Sequence, residues 1–402
     1  MLVEHHMGRK ERIELIEAIQ RKRNSKLITY VTSDRDGLAV SIAGDVVSIV
    51  HKHLLALGEL DDFKLDFFIY SRGGESDVPW ALVSMFREYA KRGFFSVLIP
   101  YRAHSAATVI ALGADEIIMT KKAELGPIDV TMNRGPYNPT EKNSNQRLPI
   151  SVEDVRGYFA LLEKLAGNNN KETMKGFEFL TANVHPLALG TVNRLLEQTK
   201  MVGLRLLSTR ARPFGTRENQ EIITRLSSQV YSHSHSISRT EALKYLKLKQ
   251  VKNAEDYKIE DDLWKLYEQY VDLFEMENPF RPEEYLITND LEEHSWANLN
   301  LACIESVNRC HLCSTDMRVV RLRKVPPQVT LNLGGFTFPI NLPALPANTT
   351  LQQIQALLNP IVGVVVPQTL TAATNSAVQQ LMKSLPQAGF ERIGLNAGWK
   401  EI

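Results

Sequence analysis

Apolar positions along the first third of the chain follow two rhythms that take turns. Residues 9–23 (RKERIELIEAIQRKR) set Ile13, Ile16 and Ile19 among charges at helical spacing, which predicts an amphipathic helix. Leu27 to Thr32 then reads as a strand, Asp34-Arg35-Asp36-Gly37 as a turn, and Ala43 to Leu57 as a helix leading through Gly58 to a second strand at Phe67 to Tyr70. After Gly73-Gly74 a helix from Asp77 carries Val78, Leu82, Met85, Phe86 and Tyr89 on one face and stops at Gly93. Val97-Leu98-Ile99 is a short buried-strand run. The small residues Ala106, Ala107, Ala111, Gly113 and Ala114 follow Ser105 as a helix able to pack closely on a sheet, and Glu116 to Met119 is the next strand. Strand and helix alternating at crossover length predict an α/β fold with a mainly parallel sheet covered by helices.

After Pro127 the pattern loosens into a long polar loop, MNRGPYNPTEKNSNQRLP, of the kind that flanks a substrate groove. Helical spacing resumes at Ser151 to Leu165, with Ser151 and Asp154 in capping-box register, and again at 186–210 and 216–230. Beyond residue 255 the character changes. A helix at 260–276 leads into alternating stretches at 296–306 and 316–323, then VTLNL, Gly334-Gly335 and FTFPI, which predict an antiparallel meander in a C-terminal α+β region. The expected organisation is one domain over 1–255, a helix and β-hairpin extension over 256–325, and a C-terminal region over 326–402.

Composition narrows the function classes. The 402 residues are 44% hydrophobic, enough for buried cores without disulfide staples. Lys plus Arg at 47 against Asp plus Glu at 46 gives a net charge of +1, which argues against a nucleic-acid or membrane-surface binder. Cys303, Cys310 and Cys313 are confined to one short segment, so a disulfide framework is not expected and a reducing, cytoplasmic setting fits. The start, MLVEHHMGRKERIEL, has no signal-peptide apolar core, and no run approaches the ~18 apolar residues of a membrane span.

The chemistry concentrates at two strand-to-helix junctions. Gly73-Gly74 and Ser105 each stand where backbone N–H groups are left free at a helix start. A serine there is most often only an N-cap, and a Gly-Gly pair only a tight turn. Together, a hydroxyl nucleophile beside N–H donors is a recipe for acyl transfer. The surroundings Arg102-Ala103-His104-Ser105-Ala106 are not G-x-S-x-G, and neither G-x-G-x-x-G nor a P-loop is present.

SRGGESD (71–77), AHSAATVIALGADEIIM (103–119) and AELGPID (123–129) occur in order at a spacing that resembles the Clp protease and crotonase superfamily. Within it the chain is most similar to the serine dehydrogenase proteinase family, itself similar to signal peptide peptidase A. The resemblance runs from about residue 10 to about residue 255, with VHPLALGTVNR (184–194) and YSHSHSISRTEALKYLKL (231–248) as further support. It implies a Clp/crotonase-like ββα-spiral core, a serine peptidase with Ser105 as nucleophile, and an oxyanion hole from the N–H groups of Gly73, Gly74 and Ala106. It also implies peptide or unfolded-protein substrates, no cofactor, and a homo-oligomer of the ring or stacked-trimer kind, with the C-terminal region free to recruit a protein partner. The lack of a membrane span departs from signal peptide peptidase A.

The general base is not where the relatives put it. The loop that carries a triad histidine in some relatives reads Gly126-Pro127-Ile128-Asp129 here. The helix that carries a dyad lysine in others aligns with SVEDVRGYF, giving Asp154 and then Arg156, which cannot act as a base at neutral pH. Lys142, His185, His233 and His235 are the candidates, and His233 is preferred because an imidazole titrates near neutrality. His104, next to Ser105, is expected to line the groove or an interface. Cys303, Cys310, His311 and Cys313 form half a zinc ribbon with no second C-x2-C pair, so no metal is expected. Two rival readings stay open: a catalytically silent oligomeric scaffold of the same fold, and a crotonase-like acyl-CoA enzyme using the same oxyanion hole.

Overall fold

The computed structural model describes residues 8–58, 63–90, 95–132, 135–141, 147–167, 170–228, 235–326, 328–333, 336–342, 345–346, 349–365, 378, 380–382 and 384–402. The chain divides into two compact units. The first holds Met1–Asn278, Leu301–Leu312 and Lys400–Ile402; the second holds Pro279–Asn300 and Cys313–Trp399.

The first unit is built on parallel strands in the order Val251–Asn253, Glu116–Met119, Phe95–Ile99, Lys64–Tyr70 and Ser25–Thr32. Residues 302–305 of the strand Glu293–Ser306 extend it antiparallel to Ser25–Thr32, with Thr29 opposite Glu305. These strands read as unbroken apolar runs because both faces are covered. Ile28, Phe67, Val97 and Ile117 stand in register across the sheet, all fully buried, and Phe67 packs on Phe86 of the helix Val78–Tyr89 with ring centroids 4.9 Å apart. On the opposite face Phe68, Leu98 and Ile118 pack with Ile16 and Ile19 of the helix Arg9–Arg23 and with Leu263 and Leu266 of the helix Glu260–Leu273. The expected α/β architecture is the one observed.

The helix Arg9–Arg23 is pinned by two fully buried ion pairs, Arg12 Nε to Glu305 Oε2 at 2.6 Å and Arg23 Nε to Asp66 Oδ2 at 2.8 Å. Removing one partner would strand a buried charge at a cost of about 3–5 kcal/mol. Among the described residues, no helix is long and apolar enough to cross a membrane.

The second unit holds further antiparallel strands. Gln328–Leu333 and Phe336–Asn341 form a hairpin with Val329 opposite Ile340, and Arg323 of the strand Arg309–Arg323 pairs with Thr349. Its core gathers Ile340 and Leu342 with Ile354 and Leu358 of the helix Leu351–Val365, and with Val378, Met382 and Leu385.

Candidate active site

Ser105 stands immediately before the seven-residue helix Ala106–Leu112, every residue of which is buried. Its backbone is at φ +50°, ψ −116°, a sparsely populated region that costs a non-glycine residue about 1–3 kcal/mol. The hydroxyl does not cap the helix. The ordinary reason for serine at a helix start is therefore absent, and a half-buried Oγ is held in a strained elbow with no hydrogen-bond partner among the described residues. Thr108 locks the elbow from below, donating to Ala103 O at 2.6 Å and accepting the Gly126 N–H at 3.0 Å, which joins the serine helix to the 123–129 loop.

The Gly73-Gly74 turn is laid against this elbow by backbone bonds from Ser71 N–H to Arg102 O (3.1 Å) and from His104 N–H to Ser71 O (3.0 Å). The two glycines are needed for different reasons. Gly73 has φ +109°, and a Cβ on it would stand 2.6 Å from Ser105 Cβ. At Gly74 a Cβ would come within 2.0 Å of Ile42 O, because the backbone of Ile42 runs directly beside it. Gly73 O accepts from Ile42 N–H at 2.8 Å and Glu75 N–H donates to Ile42 O at 3.0 Å, so alternation along an extended segment turns the Gly74 N–H to the other side. The Gly73 N–H is engaged by Ser71 Oγ at 3.1 Å. Among the described residues no acceptor takes the N–H of Gly74 or of Ala106.

Ser105, Gly73, Gly74 and Ala106 line one cavity of about 730 Å³. It opens beyond the C-terminal ends of the parallel strands, where α/β sheets place their ligands. Ile42, Val109, Ile128 and Leu195 give it an apolar side; Arg72, Glu75, Asp77, Asp129 and Arg194 give it charge of both signs. The far wall, Arg194, Leu195, Gln198 and Thr199, comes from one face of the helix Pro186–Ser208.

Part of the chain is similar to known proteins. Residues 2–180 match the model of the ClpP-like SDH-type serine proteinase family. The chain is similar to that family over this stretch, which is less than half of its length. Two uncharacterized proteins of Methanocaldococcus jannaschii are similar to the chain, each 27% identical, one over 185 residues (41% of this chain, 63% of the relative) and one over 161 residues (39% and 56%). The matches span less than two thirds of either relative. Similar solved structures include a ClpP1 variant from Listeria monocytogenes, 13% identical with a TM-score of 0.32, covering 60% of this chain and 98% of that one. A membrane-bound stomatin-specific protease variant in complex with a substrate peptide is 18% identical with a TM-score of 0.21, covering 40% and 68%.

Of the four base candidates, His185 and His235 fall within the described residues. His233 and Lys142 lie outside the described residues. His185 accepts the Leu187 N–H on Nδ1 at 3.2 Å and stacks on Tyr137 at 4.6 Å between ring centroids, and His235 Nε2 lies 2.9 Å from Glu241 Oε1. Neither lines the cavity, and among the described residues no histidine or lysine does. Arg156, which follows Asp154 in the helix Val152–Ala166, donates to Ser227 O at 3.2 Å. His104 points its Nε2 to Glu124 Oε1 at 3.1 Å, and burial pulls its imidazole below the usual value against the opposing charge of Glu124. Arg194 and the ion pairs around Arg102 carry no sequence signal, since nothing in spacing marks an arginine as facing a cavity.

The cysteine segment does not gather as a ribbon. Cys303 and Cys310 are buried with sulfurs 3.8 Å apart, whereas His311 turns its Nδ1 to His53 Nε2 at 3.0 Å. Glu305 has a carboxylate oxygen within 4.8 Å of both sulfurs but already accepts from Arg12 and from Tyr270 Oη at 3.0 Å. A guanidinium in contact with the one carboxylate opposes a cation there, and neighbouring Cys310 together with burial pushes the Cys303 thiol up, away from the thiolate a metal needs.

Proposed function

We propose that this chain is a serine peptidase that cleaves peptide bonds through an acyl-enzyme on Ser105. The observation that carries the reading is the strained, uncapped Ser105 in the wall of a cavity, beside two unengaged N–H donors on Gly74 and Ala106. A peptide carbonyl seated there would meet Oγ on one side and both donors at the position its oxygen takes as it becomes an oxyanion. As Oγ attacks the carbonyl carbon, its proton passes to the base. The base then protonates the leaving amine, and water hydrolyses the ester by the same steps in reverse. Each oxyanion donor in such sites stabilises the transition state by about 3 kcal/mol. Gly73 shapes the turn, its own N–H being held by Ser71 Oγ. The base is assigned to His233, with Lys142 as the alternative. The substrate is a peptide or an unfolded protein segment, and the working form a homo-oligomer.

A silent scaffold of the same fold is the second reading, favoured by the lack of an imidazole or amine on the cavity wall among the described residues. A thioester enzyme leaves the strained Ser105 without a purpose. Incubation with a fluorophosphonate probe, followed by peptide mapping, separates them. A phosphonylated Ser105 is the expected result, and an unlabelled protein that is folded sinks the peptidase reading.

A further inference from the structure

Arg102 lies three residues before Ser105 and is gripped from two sides. Its Nε donates to Glu124 Oε1 at 3.0 Å and its Nη1 to Asp34 Oδ2 at 3.2 Å. Each carboxylate oxygen is shared with the site. Asp34 Oδ2 also accepts from Arg72 Nε at 2.9 Å, on the residue next to Gly73, and from Tyr70 Oη at 2.7 Å; Glu124 Oε1 also lies 3.1 Å from His104 Nε2, on the residue next to Ser105. Glu124 itself begins the 124–129 loop, where Gly126 sits so close to His104 that a Cβ would meet the imidazole at 2.9 Å.

We infer that Arg102, held between Asp34 and Glu124, is a positioning residue that sets Ser105 against the Gly74 turn. The inference rests on the peptidase reading. An elbow at φ +50° persists only where its surroundings over-determine it. Backbone bonds align the junctions with each other and tie the turn to Ile42. The Asp34–Arg102–Glu124 clamp adds a side-chain tie on the remaining side, because it joins the residue before Gly73, the strand before Ser105 and the loop beneath it. An exposed ion pair would contribute little. Here side-chain exposure is 11% for Asp34, 24% for Arg102 and 16% for Glu124, so the charges are sheltered and the geometry of the fork matters. A lysine keeps the charge but not the fork.

The test is the rate of fluorophosphonate labelling at Ser105, resolved into kinact and KI, for wild type, Arg102→Lys, Asp34→Asn and Glu124→Gln. A misplacement of the attacking oxygen by about 1 Å should lower kinact by roughly 100-fold with KI within about 3-fold of wild type. The Asp34→Asn, Glu124→Gln double variant should lose less than the product of the two single effects, since both act through one guanidinium. Arg239→Gln is the control; it breaks the pair with Glu255 (2.7 and 2.9 Å), which lies off the cavity wall, and should leave kinact unchanged. Should Arg102→Lys fail to fold, the isosteric Asp34→Asn carries the test alone. Wild-type kinact in the clamp variants, with Ser105 still labelled, overturns the clamp and spares the peptidase reading. An equal fall of kinact in Arg239→Gln also overturns it, by showing a general effect of lost ion pairs. A wild-type protein that takes no label overturns both.

Discussion

Gly73 lies so close against Ser105 that a Cβ on the glycine would stand 2.6 Å from the serine Cβ and 3.1 Å from its Oγ. Two penalties meet at this position, the contact itself and a φ of +109° that L side chains rarely adopt. Gly73→Ala is therefore expected to push the turn away from the elbow. Peptide hydrolysis should fall by roughly 100-fold or more, because displaced donors no longer meet the oxyanion. Far-ultraviolet circular dichroism should stay near wild type, since the residue lies outside the helices and strands of the core. Undiminished turnover in a folded Gly73→Ala protein would show that the closeness has no chemical role.

Strain at Ser105 separates two substitutions that both remove the nucleophile. Ser105→Ala keeps a Cβ at φ +50° and so keeps the strain, whereas Ser105→Gly releases it. Both should lose probe labelling and hydrolysis. Only the glycine variant should gain stability, by about 1 kcal/mol or about 2 °C in Tm for a unit of this size. Differential scanning calorimetry of the two variants decides the point, and a glycine variant no more stable than the alanine one would mean that the elbow is relaxed.

A buried pair of histidines away from the cavity sets an acid limit on stability. His53, fully buried, has its Nδ1 2.8 Å from Ser306 Oγ and its Nε2 3.0 Å from His311 Nδ1. Burial first, then the charges of His311 and Arg309, lower the His53 pKa to about 3; His311 is lowered too, by burial and by Lys52 and Arg309 against the pull of Glu401. In the unfolded chain a histidine takes its proton near ~6.5. Between these values the unfolded state binds more protons, so stability is whole above pH ~6.5 and falls as pH drops towards ~3. His53→Gln keeps amide hydrogen bonding and removes the titration. Urea unfolding at pH 7 and pH 5 should show wild type losing ~2 kcal/mol more than this variant. Equal losses would place the acid sensitivity elsewhere.

What the sequence reveals and what it hides follow from range. Phe67 to Tyr70 reads as a strand because burial on both faces writes a continuous apolar run, and Gly73 announces a turn because only glycine takes φ +109° freely. Ser105 carries no such mark, so its strain shows only in the folded chain, although family resemblance singles out the residue. The Arg102 clamp joins partners 68 and 22 positions apart, and His53 meets His311 across 258. Pairings at such separations are made by the crossover topology and leave no local periodicity. At Ser151 the local signal was nearly right: the hydroxyl accepts from Glu153 N–H at 3.0 Å, one residue short of the capping-box register.

The base is decided by chemistry at a place the cavity wall leaves open. Among the described residues that wall offers carboxylates, guanidinium groups and hydroxyls, and a guanidinium does not accept a proton at neutral pH. An imidazole base should give kcat/KM a rising limb near ~6 to 7, whereas a desolvated amine should place it near ~7 to 9, below the unperturbed ~10.4. Because the two ranges meet, variants must accompany the profile. His233→Ala is expected to lower kcat by ~100-fold or more with Tm little changed, and Lys142→Ala, in a polar loop, to cost far less. His185→Ala and His235→Ala should stay near wild type, since His185 is occupied at a helix start and on Tyr137, and His235 by Glu241. A dead Lys142→Ala beside a nearly normal His233→Ala would make the chain a Ser-Lys peptidase. If both variants remain active, neither His233 nor Lys142 takes the serine proton, and the assignment of the base is wrong.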